Sequence, residues 1–397
     1  YISNMQKFIP VSVIIPAFNY KKSLKMVLDG VNNQQVIPRQ IIIIDSSKSN
    51  DVEKMILNYY GKVEILYHRI SKAFPGEARN LGAKMASEKW LAFLDSKTVP
   101  NRNWLIDSFD AVSTSNVEVI FGLTQYISKT SSQDLVKAAV YGNYGVETTP
   151  GTLVSNEDFI KLGGFLEGVR TADDLEWRDR IKGSDLKYLT PKRINLTYSE
   201  ISDNLYENIK RFFVYQLYTA TVNVQNTVKT LYLSLLLIFS ATIIPNWNAL
   251  VGWEKSFFYI PNITKVYLTL LAVVLLFNIL LNKVFFKTKS KRFLSTPLKV
   301  MTLIFLTLIV FNWNSAIAGW EEDGLLYIPH ISKIYLGLLV LSSIIYRGVY
   351  FPIIHGIHTN YLFPFRWISV GFLGLIFDIV KAPGYTIGAI IHLFKIR

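Results

Sequence analysis

The chain contains no cysteine, which excludes disulfides, zinc–thiolate sites and thiol nucleophiles. Charge is scarce as well. Asp, Glu, Lys and Arg make up 18% of the residues against 50% hydrophobic, a balance too apolar for an ordinary soluble protein. Acidic residues are the rarer sign, and the net charge is +13. Such an excess suits nucleic acid, an anionic membrane surface, or the cytosolic loops of a membrane protein. The apolar C-terminal half favours the last two, so no nucleic-acid partner is expected. Tyr1 to Phe8 are too short and polar for a signal peptide, so the N-terminal part is expected to stay cytosolic. A length of 397 residues suggests two or three domains.

Composition changes sharply near residue 228. Before it, short apolar runs alternate with stretches of helical spacing. Val11 to Pro16, Gln40 to Asp45, Val63 to Tyr67, Trp90 to Asp95 and Val117 to Phe121 are rich in β-branched and aromatic residues and bounded by turn formers. They read as buried strands. Tyr20 to Val31, Asp51 to Tyr60 and Gly76 to Ser87 read as helices between them. The alternation predicts an α/β domain with a largely parallel, doubly wound sheet that binds ligands at its strand C-termini.

Four long apolar runs follow: Thr230 to Trp247, Ile263 to Leu281, Val300 to Ala318 and Ile331 to Tyr346. A spanning helix needs about 20 mostly apolar residues, so these predict four spans. Lys283, Lys287, Lys289, Lys291, Arg292 and Lys299 lie between the second and third runs, which places that loop and the N-terminal domain in the cytosol. The spans form two repeated hairpins. Asn246-Trp247-Asn248, Gly252-Trp253-Glu254 and Tyr259-Ile260-Pro261 return as Asn312-Trp313-Asn314, Gly319-Trp320-Glu321 and Tyr327-Ile328-Pro329, with Trp and Tyr as interface anchors. Glu207 to Asn223 reads as an amphipathic helix on the membrane surface. Phe363 to Arg397, interrupted by Asp378, Lys381, Pro383 and Gly384, reads as an interfacial helix pair, with a fifth span as the alternative. The expected division is a cytosolic domain over 1–200, an interfacial linker over 201–228, a membrane domain over 229–350 and interfacial helices over 351–397.

Four segments carry chemistry. Val11-Ser12-Val13-Ile14-Ile15-Pro16-Ala17-Phe18-Asn19 is a strand ending in a turn. Ile41-Ile42-Ile43-Ile44-Asp45-Ser46-Ser47 puts a carboxylate directly after a buried strand, followed by Asp51. Phe74-Pro75-Gly76-Glu77-Ala78-Arg79-Asn80-Leu81-Gly82-Ala83 is a helix start that leads to the strand Trp90 to Asp95 and the turn Ser96-Lys97-Thr98. Gly163-Gly164-Phe165 precedes Thr171-Ala172-Asp173-Asp174-Leu175-Glu176-Trp177-Arg178. In this order the segments resemble the family 2 glycosyltransferases, enzymes with a nucleotide-sugar-binding, Rossmann-like mixed sheet of the GT-A type.

The resemblance implies roles. Pro16, Ala17, Asn19 and Asp45 would hold the nucleoside, Asp95 would join them, and Arg79 would contact an anion. Asp174 would be the catalytic base, with Asp173 and Arg178 in support. The family's Asp-x-Asp has Lys97 for its second acid, and Tyr198 stands about where a His ligand is expected. Both departures put Mg²⁺ or Mn²⁺ in doubt; if a metal is present, Asp95 is its ligand. The implied reaction is inverting transfer from a nucleotide-sugar donor to a lipid-linked acceptor, a polyprenyl phosphate or a lipid-linked glycan. The chain would be an integral protein of a bacterial or archaeal plasma membrane, in contact with lipids and compatible with a homo-oligomer. Three alternatives stand beside this reading. They are a processive polysaccharide synthase, a degenerate nucleotide- or partner-binding domain motivated by Lys97, and a transporter built on the hairpin repeat. Phe365-Arg366-Trp367 is similar to the Arg-Trp of processive synthases but lacks their preceding Gln, and reads as an interface anchor.

Overall fold

The computed structural model describes residues 7–222 except Tyr20 and Asn116, and residues 340–395, together with Val224, Trp247, Asn248, Phe257, Tyr259 and Gly337. The first three apolar runs, the start of the fourth, the repeat and the basic loop otherwise lie outside the described residues.

Strands β1 (Lys7–Ala17), β2 (Val36–Asp45), β3 (Glu64–Arg69), β4 (Trp90–Phe93), β5 (Thr98–Pro100), β6 (Val119–Tyr126), β7 (Val146–Ser155), β8 (Tyr188–Leu189) and β9 (Leu196–Tyr198) form one mixed sheet. Its order is β3-β2-β1-β4-β7-β6-β9-β5, with β8 beside β6. The β3-β2-β1-β4 half is parallel, as expected from the sequence. From β4 onward the pairing turns antiparallel through β7 and β6, so the sheet is mixed rather than largely parallel. The helices are α1 (Lys21–Asn32), α2 (Asp51–Leu57), α3 (Pro75–Met85), α4 (Trp104–Thr114), α5 (Ser131–Val140), α6 (Asn156–Lys161), α7 (Asp173–Gly183) and α8 (Leu205–Thr221).

The continuous run Ile41-Ile42-Ile43-Ile44 is buried at every position because helices cover both faces of the sheet. On one face Val13, Ile15, Ile41 and Ile43 pack against Leu24 and Leu28 of α1 and Trp104 of α4. On the other, Ile14, Ile42 and Ile44 meet Ala78 and Ala83 of α3, Phe159 of α6 and Trp177 of α7. This second face carries the site.

The C-terminal part forms α9 (Val340–Ile354), α10 (Thr359–Leu362) and α11 (Arg366–Lys395). The expected pair of interfacial helices is one continuous helix of 30 residues, with Pro383 in its interior. Arg366–Tyr385 within it is long and apolar enough to cross a membrane, at a mean hydropathy of 1.4. Its Val370, Leu373 and Phe377 also dock on Val136 and Ala139 of α5 and Phe212 of α8. Small residues let the helices touch backbone to backbone. A Cβ at Gly388 would lie 2.1 Å from the Leu217 carbonyl of α8, and one at Gly371 would lie 2.4 Å from the Ile344 carbonyl of α9. Arg347 of α9 donates to Asp378 of α11 through Nε at 2.5 Å and through Nη2.

Candidate active site

The site gathers at the C-terminal ends of β1, β2 and β4. Ala17 pairs with Asp45 across β1 and β2, and the Ala17 carbonyl accepts the Ser46 N–H at 3.0 Å. Asn19 sits at φ +56°, a left-handed conformation that asparagine tolerates. Its N–H donates to Ser47 Oγ at 2.8 Å and its Oδ1 accepts the Lys48 N–H at 3.2 Å. The Pro16–Asn19 turn is therefore laced to the loop after β2. Asp45 is fully buried. It accepts the Ser47 N–H at 2.8 Å and the Tyr67 hydroxyl at 2.7 Å. Burial, then this bond to Asp45, raises the Tyr67 hydroxyl well above its ordinary value. Helix α2 begins only at Asp51, so Asp45 braces the turn after β2 instead of capping that helix.

The helix-start motif works mainly as a clamp. Gly76 lets α3 approach the start of α7: a Cβ there would stand 2.4 Å from the Leu166 carbonyl and 3.2 Å from the Asp173 side chain. Glu77 accepts the N–H groups of Phe74 and Gly168, at 2.8 and 2.9 Å. Asn80 donates to the Phe165 carbonyl at 2.9 Å and accepts its N–H at 2.8 Å. Arg79 is buried and bridges two acids, Nη1 to Asp173 at 2.7 Å and Nη2 to Asp95 at 2.6 Å. Its guanidinium lies 5.2 Å from the Phe165 ring centre. The sequence suggested that Arg79 contacts a substrate anion. In the structure its terminal nitrogens are already engaged by Asp95 and Asp173, and it orients them.

Asp173 and Asp174 open α7. The backbone before them is left-handed at Ala172, φ +75°, and the Thr149 hydroxyl donates to the Asp174 carbonyl at 3.1 Å. Asp173 is 3% exposed and committed to Arg79. The Asp174 side chain is half-buried and its carboxylate accepts no hydrogen bond among the described residues. Arg178 stands apart from this group. It donates to the Glu147 carbonyl of β7 at 2.5 Å and pairs with the Glu147 carboxylate at 3.3 Å, so it pins α7 to the sheet.

Asp95 and Lys97 lie in the turn between β4 and β5. Thr98 closes it, accepting the Asp95 N–H at 3.0 Å through Oγ1 and donating to the Asp95 carbonyl at 3.1 Å. Asp95 remains 39% exposed, and Lys97 is half-buried. Tyr198 is the strand partner of Thr98. A divalent cation at such a turn is held by clustered carboxylate oxygens. Here Asp95 is bound to Arg79, a lysine holds the second position, a tyrosine the third, and no ligating cluster of three His, Asp or Glu occurs among the described residues. This donor set does not fit a protein-held divalent cation.

Asp95 and Asp173 share one guanidinium, and Asp174 lies within its electrostatic reach. Burial is the largest influence on the Asp173 carboxyl and pushes it up to about 7. Arg79 pulls the other way, while Asp174 and Asp95 add to the rise. The folded chain therefore holds this proton more tightly than the unfolded one. The contribution is present below about pH 4 and is lost as pH rises towards 7. The wild type is expected to lose melting temperature relative to Asp173→Asn between pH 5 and 7. Parallel curves for the two proteins would contradict this.

Residues 12–158 match the family model described as Glycosyl transferase family 2. A pre-mycofactocin glycosyltransferase of Mycobacterium tuberculosis is 28% identical over 196 residues, which is 45% of this chain and 40% of that one. A chondroitin synthase of Pasteurella multocida is 25% identical over 183 residues, 45% of this chain and 18% of that one. The chain thus spans less than half the length of these two relatives. The UDP-Glc:alpha-D-GlcNAc-diphosphoundecaprenol beta-1,3-glucosyltransferase WfgD of Escherichia coli is 23% identical over 51% of this chain and 83% of its own length. Among solved structures, a mannosyltransferase of Pyrobaculum calidifontis shares 13% identity, covering 98% of this chain and 88% of that one at a TM-score of 0.47. Residues 12–158, which match the family 2 glycosyltransferase model, fold as a mixed sheet with helices on both faces.

Proposed function

We propose that this chain transfers a sugar from a nucleotide-sugar donor to a lipid-linked glycan, with inversion, at the cytosolic face of a membrane. The observation that carries the reading is Asp174: a half-buried carboxylate with no hydrogen-bond partner among the described residues, beside a rigid Arg79–Asp95–Asp173 group at the strand ends. Inverting transfer needs one carboxylate to take the acceptor's proton as its oxygen bonds the anomeric carbon. The bond from that carbon to the diphosphate breaks with its electron pair, and the nucleoside diphosphate leaves. Asp174 takes the proton, Asp95 and the braced Asp45 turn hold the nucleoside side, and Lys97 offers a cation to the leaving diphosphate.

A free base favours a hydroxyl acceptor. A phosphate monoester is mostly ionised near pH 7, with a second pKa of about 6, and needs no proton removed. A lipid-linked sugar therefore suits this site better than a bare polyprenyl phosphate. The WfgD relative, whose name specifies a diphosphoundecaprenol-linked sugar acceptor, supports the same choice. The Arg366–Tyr385 helix supports membrane association, and in sequence α8 leads directly from the domain to the four apolar runs.

The test is a survey of nucleotide sugars by thermal melting of the purified chain. One donor is expected to raise the melting temperature in a concentration-dependent way. No shift with any donor at millimolar concentration would count against the proposal.

A further inference from the structure

Arg211 lies on α8 among tyrosines. Its Nε donates to the Tyr215 hydroxyl at 2.9 Å and its Nη2 to the Tyr198 hydroxyl at 3.3 Å. Its guanidinium carbon is 5.1 Å from the Tyr215 ring centre and 5.8 Å from that of Tyr198. Tyr126 packs 5.1 Å from Tyr198 and stacks on Tyr141 at 3.8 Å. Burial pushes the Tyr141 hydroxyl up to about 12, although Arg211 opposes the rise, so this phenol stays neutral and can donate.

Among the described residues this arginine has no carboxylate partner. Every other described arginine that is buried or half-buried does: Arg69 pairs with Glu53, Arg79 with Asp95 and Asp173, Arg178 with Glu147, Arg180 with Glu176 and Arg347 with Asp378. A guanidinium is always charged, and burying a charge against dipoles and ring faces alone is costly. An external anion would complete the set: Nη1 makes neither of these bonds, and the Tyr215 hydroxyl, which accepts from Nε, keeps its own proton for a phosphate oxygen, whereas the Tyr198 hydroxyl donates to the Glu200 carbonyl at 3.2 Å.

The position fits a substrate phosphate. Tyr198 is the strand partner of Thr98, and Thr98 closes the Asp95–Lys97 turn. The cage is thus one strand away from the turn that would meet the leaving diphosphate. It is also on the helix that leads in sequence from the catalytic domain to the apolar half of the chain, where a lipid-linked acceptor would arrive.

We infer that Arg211 and its tyrosine ring form a phosphate-binding site, which takes a phosphate of either the nucleoside diphosphate or the lipid-linked acceptor. The inference rests on the glycosyl-transfer reading above. Its test is binding by the full chain in lipid nanodiscs of UDP, GDP, the matching nucleosides and an undecaprenyl-diphosphate-linked sugar, with Arg211→Ala, Arg211→Lys and Tyr215→Phe beside the wild type. Arg211→Ala is expected to weaken one phosphate ligand by about 10- to 100-fold, the loss of a charge-assisted hydrogen bond. Nucleoside binding should be unchanged, and Arg211→Lys should recover part of the loss. A loss confined to UDP or GDP assigns the site to the donor; one confined to the undecaprenyl-diphosphate-linked sugar assigns it to the acceptor. If Arg211→Ala does not fold, Tyr215→Phe, which releases Nε, is expected to weaken the same ligand several-fold. Wild-type affinity for every phosphate ligand in the folded variants would overturn the inference. A wild-type chain that binds none of these ligands would instead overturn the functional reading.

Discussion

Replacing Asp174 with Asn should lower turnover by about two to four orders of magnitude, the usual share of general base catalysis, with donor affinity unchanged. The substitution keeps the shape at the start of α7 and leaves the Thr149 bond to the residue 174 carbonyl in place. It removes only the capacity to take a proton. Because the Arg79 bridge runs through Asp173 and not Asp174, the variant should melt close to the wild type. Steady-state kinetics with a saturating donor would read the loss as a fall in kcat. Full turnover in the variant would remove Asp174 from the mechanism and would favour an acceptor that arrives already ionised.

Lys97 carries the second large effect. In a metal-dependent transferase a divalent cation neutralises the charge that develops on the leaving diphosphate. Here a lysine stands where a carboxylate would bind that ion, and its ammonium can pair with the phosphates directly. Transfer should persist in excess chelator and should fall by about 10- to 100-fold in Lys97→Ala, the scale of one or two charge-assisted contacts. Arg79 cannot substitute, since its terminal nitrogens are held by Asp95 and Asp173. Strict dependence on added manganese or magnesium would overturn this assignment.

The parallel half of the fold was legible because its strands are continuous apolar runs with short turns between them. Ile41 to Asp45 cannot be mistaken when both faces are buried. In the other half only the start of β6 was legible, in Val117 to Phe121. Strand β7 reads Val-Glu-Thr-Thr-Pro-Gly-Thr-Leu-Val-Ser, and Pro150 with Gly151 breaks any pattern of alternation. Strands β5, β8 and β9 are two or three residues long, below what periodicity can detect. In the site, sequence singled out Arg79, Asp95, Asp173 and Asp174 but did not show that Arg79 bridges Asp95 and Asp173. Its partner Asp173 is 94 positions away, a pairing that no local pattern announces. The brace from Tyr67 to Asp45 escaped for the same reason: a tyrosine near a strand end is ordinary until the neighbouring strand's register places it beside an acid. Helix α8 was visible as an amphipathic stretch with Lys210 and Arg211 on it. The tyrosine ring around Arg211 was not, because it is drawn from β6, the end of α5, β9 and α8 together.

The most direct measurement of the central claim is transfer itself. The full chain in nanodiscs would be given a labelled nucleotide sugar and an undecaprenyl-diphosphate-linked sugar, and label would be followed into the organic-solvent extract. The account predicts label in the lipid fraction of the wild type, in a linkage inverted relative to the donor, and almost none with Asp174→Asn. Label that stays in the aqueous phase, or a retained anomeric configuration, would contradict it.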